Sequence, residues 1–210
     1  EDPYLSSRLC VSYIRGLQGD GETMKAAACA KHFAVHSGPE ALRHEFDAEV
    51  SEKDLRETYL PAFQACVQEG HVEAVMGAYN CVNGEPCCGS KTLLKKILRE
   101  EWGFDGHVVS DCWAIKDFHE NHLVTGTPVQ SAALAMEAGC DLNCGVTYLH
   151  LVHACQQRLV TEAQITEAAV RLFTTRILLG IFDGSEYDSV PYTVVECKEH
   201  RDLSERAARE

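Results

Sequence analysis

Several residues able to do chemistry stand just after short apolar runs: Lys31 and His32, Tyr79 and Asn80, Asp111, then Asp141 and Asn143. A carboxylate held still at such a place, as Asp111 is after His-Val-Val-Ser, can attack an electrophilic carbon. A lysine or histidine beside it donates hydrogen bonds to hydroxyl groups, and a buried cation keeps the carboxylate ionised. Taken singly, each residue also has a structural reading, because polar groups at strand ends cap helices and satisfy loop backbone. Their recurrence at corresponding places carries more information than any one of them.

The elements that must position these residues are short strands alternating with amphipathic helices. Strands are expected over 26–33, 72–79, 107–110 and 140–143. Helices are expected over 53–68, about 91–102, 128–138 and about 162–179. Ser51 is a candidate cap for the first helix and Gly70 its stop, and Pro61 should bend it locally. Trp113 to Asn121 reads as a loop or short helix. Pro128 and Gly139 bracket the helix that follows.

Strands and helices in this alternation require parallel pairing with crossovers, so the class is α/β. Four units leave a sheet unfinished. A barrel of eight such units takes about 250 residues, so the expected architecture is the C-terminal part of a (β/α)8 TIM-type barrel, incomplete at its N-terminus. A doubly wound open sheet is the structural alternative, although no Gly-x-Gly-x-x-Gly follows any strand. Residues 1–182 form the partial barrel in this reading, 183–199 a linker around Pro191, and 200–210 the charged start of a truncated further domain. In a barrel the four strand ends share one rim, where active sites form.

Composition narrows the partners. With 32 acidic residues against 19 basic ones the formal charge is -13, which repels a nucleic-acid backbone or an anionic membrane. No apolar stretch reaches about 18 residues, so no transmembrane helix is expected. The 11 cysteines are an odd number and fall mostly in apolar runs, as at Cys29 and Cys66, which suits buried free thiols in a reducing compartment. A cytoplasmic setting is therefore favoured, with secretion left open because the chain starts at Glu1-Asp2-Pro3 without an initiator Met. Cys87-Cys88 and Cys140/Cys144 could suggest a metal, but no Cys-x-x-Cys unit exists and no metal is assigned.

Five motifs in order carry a resemblance. They are Ala-Cys-Ala-Lys31-His32-Phe, Arg56-Glu-Thr-Tyr-Leu-Pro-Ala-Phe, Met76-Gly-Ala-Tyr79-Asn80-Cys-Val-Asn83-Gly, Trp102-Gly-Phe-Asp-Gly-His-Val-Val-Ser-Asp111 and Ala138-Gly-Cys-Asp141-Leu. Together they resemble the N-terminal catalytic domain of glycoside hydrolase family 3, over nearly the whole chain. The resemblance implies a retaining exo-acting β-glucosidase or β-xylosidase acting on a β-linked glucoside or xyloside, with no cofactor. It makes Asp111 the nucleophile and Lys31 and His32 the sugar-binding pair. Tyr79 is implied beside the nucleophile and Met76 in the pocket wall. Trp113 could stack on a sugar face, although some relatives place that tryptophan one residue earlier.

The loop holding His36, Arg43, His44 and Asp47 tests the subtype. The branch acting on N-acetylglucosaminides resembles Lys-His-Phe-Pro-Gly-His-Gly followed by Asp-x-His, which supplies its acid/base. That unit is absent here, so no acid/base is assigned to the loop. In the other branch the resemblance places a glutamate acid/base in a downstream α/β sandwich domain, and an arginine just upstream of Glu1. The 210-residue piece alone is therefore expected to be inactive or nearly so. Two rivals stay open: a sugar-binding barrel that has lost catalysis, and a phosphorylase that uses phosphate in place of water. One geometric expectation also follows. Neighbouring residues on a regular strand face opposite ways, so Lys31 and His32 share a pocket only if the backbone is irregular over 31–34.

Overall fold

A computed structural model describes residues 2–210. The chain opens with helix α1 (Pro3–Gln18), capped by the Asp2 side chain, which accepts from the Leu5 N–H at 2.8 Å. Strand β1 (Cys29–Phe33) follows, then the two-residue strand β2 (Asp47–Ala48). The helix expected over 53–68 is broken into α2 (Glu52–Asp54), a wide π-helical turn (Leu55–Tyr59) and α3 (Pro61–Gln68). Proline explains the break: Pro61 has no N–H to donate, and the Leu60 N–H reaches five residues back to the Leu55 carbonyl at 3.0 Å. Ser51 caps this helix as expected, accepting from the Asp54 N–H.

Strand β3 (Ala74–Gly77) leads into the short strands β4 (Cys81–Val82) and β5 (Glu85–Pro86), then a π-helical stretch (Thr92–Glu101) and strand β6 (His107–Ser110). Helices α4 (Ala114–Glu120), α5 (Pro128–Ala138), α6 (Leu151–Gln156), α7 (Glu162–Leu178) and α8 (Lys198–Arg209) complete the chain. The bounds of α5 follow from local chemistry. Thr127 caps the Gln130 N–H, Pro128 fits the first turn, and Gly139 ends the helix at φ 97°, a left-handed conformation costly for a side chain.

The main sheet is parallel, in the order β1-β3-β6. Its inner strands bury Val75 and Val108 against Leu93, Leu94, Ile97 and Leu98 of the helical layer, all at most 1% exposed. The segment expected as a fourth strand over 140–143 contributes only one parallel bridge, Val109 to Leu142. A second, smaller sheet joins β2, β4 and β5, in which the loop after β1 meets the turn after β3. Among the described residues no helix is long and apolar enough to cross a membrane.

One cysteine pair corrects the free-thiol reading. Cys112 and Cys144 form a disulfide across 32 residues, with their Cα atoms 4.5 Å apart. Both lie in strand-end loops and not in apolar runs, which is why composition hides them. Cys66, Cys81, Cys87, Cys88 and Cys140 are free and buried, as expected, whereas Cys29 is free but exposed, because it lies on the edge strand β1. Burial pushes the Cys81 and Cys87 thiols up to about 12, so they stay protonated packing groups.

Candidate active site

The end of β6 fixes Asp111. Its N–H donates to the Gly77 carbonyl at 3.0 Å, joining it to the end of β3. Gly77 is required there, because a Cβ would come within 2.7 Å of the Cys88 sulfur. Ser110, fully buried, accepts through its hydroxyl from the Cys144 N–H at 3.0 Å and the Asn143 amide at 3.2 Å. The Trp113 N–H donates to the Cys144 carbonyl, so the disulfide and these bonds tie the two loops together.

Asp111 is 9% exposed. Its Oδ1 accepts from the Cys112 N–H at 2.8 Å, and its Oδ2 lies 3.3 Å from His32 Nε2. Burial lowers the proton affinity of His32 below its ordinary value, against the upward pull of Asp111. The Tyr79 phenol faces the same carboxylate. Burial first and the Asp111 charge second raise it above its ordinary value, so it remains a proton donor at neutral pH.

The backbone before this pair is irregular, as expected. Pairing with β3 shifts between Ala30 and Phe33, the Lys31–His32 and Phe33–Ala34 peptides are cis, and Val35 has φ 55°. The outcome for the two side chains differs. His32 turns to Asp111, whereas Lys31 is exposed and lines an apolar groove of about 620 Å³ with Tyr13, Leu17 and Phe63. Lys31 has no ion pair with Asp111 among the described residues. Lys31 is exposed because β1 is the edge strand of the sheet and leaves that flank uncovered.

Met76 pairs with Val109 inside the sheet and is partly buried. Trp113 stands at the rim, 49% exposed, with φ 70° at the start of α4. Three other rim residues turn out to be structural. Asn80, 1% exposed, donates to the Ala34, Val35 and Cys81 carbonyls and meets His36 Nδ1 at 3.0 Å. Asn143 accepts from the Tyr148 N–H. Asp141 points away from the rim, into ion pairs with Arg99 and Arg171.

Other residues near Asp111 escape the strand-end pattern. Arg43 and His44, from the loop after β1, pack on the Tyr79 ring, and His44 Nδ1 meets Asp117 of α4 at 2.8 Å. Asp117 and Asn121, four apart on one helix face, were the available signal. Among the described residues no cluster of His, Cys, Asp and Glu could hold a metal ion.

The parallel sheet with a carboxylate at its strand ends defines an α/β unit of the TIM-barrel type, a class shared with the solved structures that resemble it. Residues 1–178 match the glycosyl hydrolase family 3 N terminal domain, and the chain belongs to that family. It is 42% identical over its whole length to a xylan 1,4-beta-xylosidase of Xylanibacter ruminicola, and spans 25% of that protein. It is 40% identical to beta-xylosidase/alpha-L-arabinofuranosidase 1 of Medicago sativa subsp. varia, again over its whole length, and spans 29% of it. A solved family 3 exo-beta-xylosidase in complex with a xylobiose aziridine activity-based probe superposes with TM-score 0.93 at 32% identity, over 99% of this chain and 28% of that one. A beta-glucosidase from Listeria innocua in complex with isofagomine gives 0.87 at 32% identity, over 96% and 29%. The chain thus spans about a quarter of the curated relatives it matches.

Proposed function

We propose that this chain is the nucleophile-bearing part of a retaining exo-β-glycosidase, with a β-xyloside as the favoured substrate and a β-glucoside next. One observation carries the reading: Asp111 is nearly buried at a strand end, fastened through one oxygen by the Cys112 N–H, with no guanidinium or ammonium among the described residues paired to the other. The names of the relatives support the substrate class.

In this reading Asp111 Oδ2 attacks the anomeric carbon and forms a glycosyl-enzyme, the leaving group departs with a proton from an acid, and water then releases the sugar. His32 donates a hydrogen bond to a sugar hydroxyl, Trp113 covers a sugar face, and Met76 contributes wall. Lys31 reaches the sugar only if its exposed side chain swings back from the groove. The acid belongs about 5 Å from Asp111 in a retaining enzyme. We assign it to a domain following the linker at 183–199, for which 200–210 is the beginning.

A dinitrophenyl 2-deoxy-2-fluoro-β-xyloside tests the assignment, because its leaving group needs no acid and its glycosyl-enzyme is long-lived. In the full-length protein the label is expected on the peptide carrying Asp111, by mass spectrometry. Label on another carboxylate, or hydrolysis of the parent aryl xyloside undiminished in Asp111→Ala, overturns it. The 210-residue piece alone is expected to turn over unactivated xylosides negligibly.

A further inference from the structure

We propose that Arg43, His44 and Asp117 form a positioning cradle that fixes the Tyr79 phenol against Asp111, a role that rests on the glycosidase reading of Asp111. Three contacts converge on the tyrosine from two segments, the loop after β1 and the turn after α4. The His44 ring meets the Tyr79 ring edge-on, with centroids 4.5 Å apart. The Arg43 guanidinium lies over the same ring, 5.3 Å from its centroid. His122 Nε2 stands 2.9 Å from the Tyr79 carbonyl. His44 is itself held by Asp117, at 2.8 Å from Nδ1 to Oδ2, and Asp117 accepts from the Asn121 amide through its other oxygen at 2.6 Å.

The pair is anchored from its buried side. Asp117 is 4% exposed and already bonded to Asn121, so it is a fixed acceptor for the half-exposed His44 ring. Arg43 is held through Nη2 by Glu40 at 2.9 Å, while its buried Nε has no hydrogen-bond partner and the guanidinium lies over the ring. The phenol has no such freedom either, because ring and backbone are both gripped. A tyrosine fixed in this way keeps its O–H on the carboxylate while the nucleophile attacks, which is the preorganisation that lowers a barrier. His44 and Asp117 touch no reacting atom and act through Tyr79.

The test is a double-mutant cycle in the full-length protein, read as the rate constant for labelling by the dinitrophenyl fluoroxyloside. His44→Ala is expected to slow labelling on the order of 10- to 100-fold, since small misplacements near reacting atoms cost that much. In a Tyr79→Phe background the same substitution should change the rate by about 2-fold or less, as expected only if the two residues act as a unit. His44→Gln, which keeps a donor toward Asp117, should recover part of the loss and serves in place of the alanine variant if circular dichroism shows that one unfolded. Multiplying effects of His44→Ala and Tyr79→Phe overturn the cradle and leave the glycosidase reading standing. Labelling retained in Asp111→Ala overturns both.

Discussion

Asp111 and Asp141 belong to neighbouring parallel segments and are bonded differently. Asp111 follows β6, Asp141 comes just before Leu142, the two segments meet at the Val109–Leu142 bridge, and the residues are 9% and 4% exposed. Asp141 is surrounded. Its Oδ2 accepts from the Val108 N–H at 2.8 Å and from Arg99 at 2.9 Å, and its Oδ1 accepts from Arg171 at 2.9 Å. Burial raises its carboxyl above the ordinary value while the two guanidinium groups pull it back. Asp111 has one backbone donor, the Cys112 N–H, with the neutral Tyr79 phenol and a histidine that burial biases toward neutrality facing it, and no guanidinium paired to it among the described residues. A buried carboxylate with both oxygens held by guanidinium groups is a strut between layers. One with an oxygen left available can become a reagent.

The widest separation of the two is in activity. Asp111→Ala in the full-length protein should abolish turnover of an aryl β-xyloside while leaving the thermal midpoint nearly unchanged, since few contacts are lost. Asp141→Asn should do the reverse. It leaves Arg99 and Arg171, with side chains 15% and 23% exposed, facing a neutral group. Breaking such a buried pair costs about 3 to 5 kcal/mol, measurable by urea denaturation. A stable Asp141→Asn variant with lost turnover would break the comparison.

How far this contrast could be read in advance depends on distance along the chain. The position of Asp111 at a strand end was legible because the apolar run His-Val-Val-Ser leads straight into it. The core of β3, the whole of β6, and helices α5 and α7 follow from periodicity and caps, which are local. The separate roles of Asp111 and Asp141 were not legible, because Arg171 lies 30 residues from Asp141. His44 finds Asp117 across 73 residues, beyond any pattern within a loop. Helix α1 was missed although Asp2, Pro3 and Gly19 bracket it, because its buried stripe of Ser7, Val11, Ile14 and Gln18 is half polar while apolar residues such as Tyr4, Leu9 and Tyr13 stay exposed. The strands β2, β4 and β5 have two residues each, too few for a period of two to show.

The Cys112–Cys144 disulfide ties the two carboxylate loops together, so opening it sharpens the comparison. Closing a loop of 32 residues stabilises by roughly 2 to 4 kcal/mol, chiefly by restricting the unfolded chain. Cys144→Ser should lower the denaturation midpoint accordingly. Turnover should fall by far less than in Asp111→Ala, because the Ser110 hydroxyl still holds the Cys144 backbone N–H and the Gly77 carbonyl still holds Asp111. Turnover as low as in Asp111→Ala would show instead that the disulfide, and not the backbone bonds, sets the nucleophile.

The smallest effect lies at the other end of β6, where His107 Nδ1 meets the Thr175 hydroxyl at 2.8 Å and that hydroxyl donates to Glu73 at 2.6 Å. Burial holds His107 below its ordinary value near 6.5, and the Asp141 charge pulls it upward. In the window between the lowered value and about 6.5 the unfolded chain binds more protons than the folded one. Stability attributable to His107 is therefore complete above that window and is lost as pH falls through it. Glu73, raised by burial, works in the opposite sense at lower pH, taking up its proton more readily when folded. His32 and His119 are lowered by burial in the same window, so the share of His107 is read as the difference between the chain and His107→Gln, whose slope between pH 7.5 and 6 should be flatter. Asp141→Asn removes the charge that supports protonated His107, so its slope should steepen. An unchanged slope there would mean that Asp141 is a strut for the two arginines alone, with no electrostatic hold on the strand that carries Asp111.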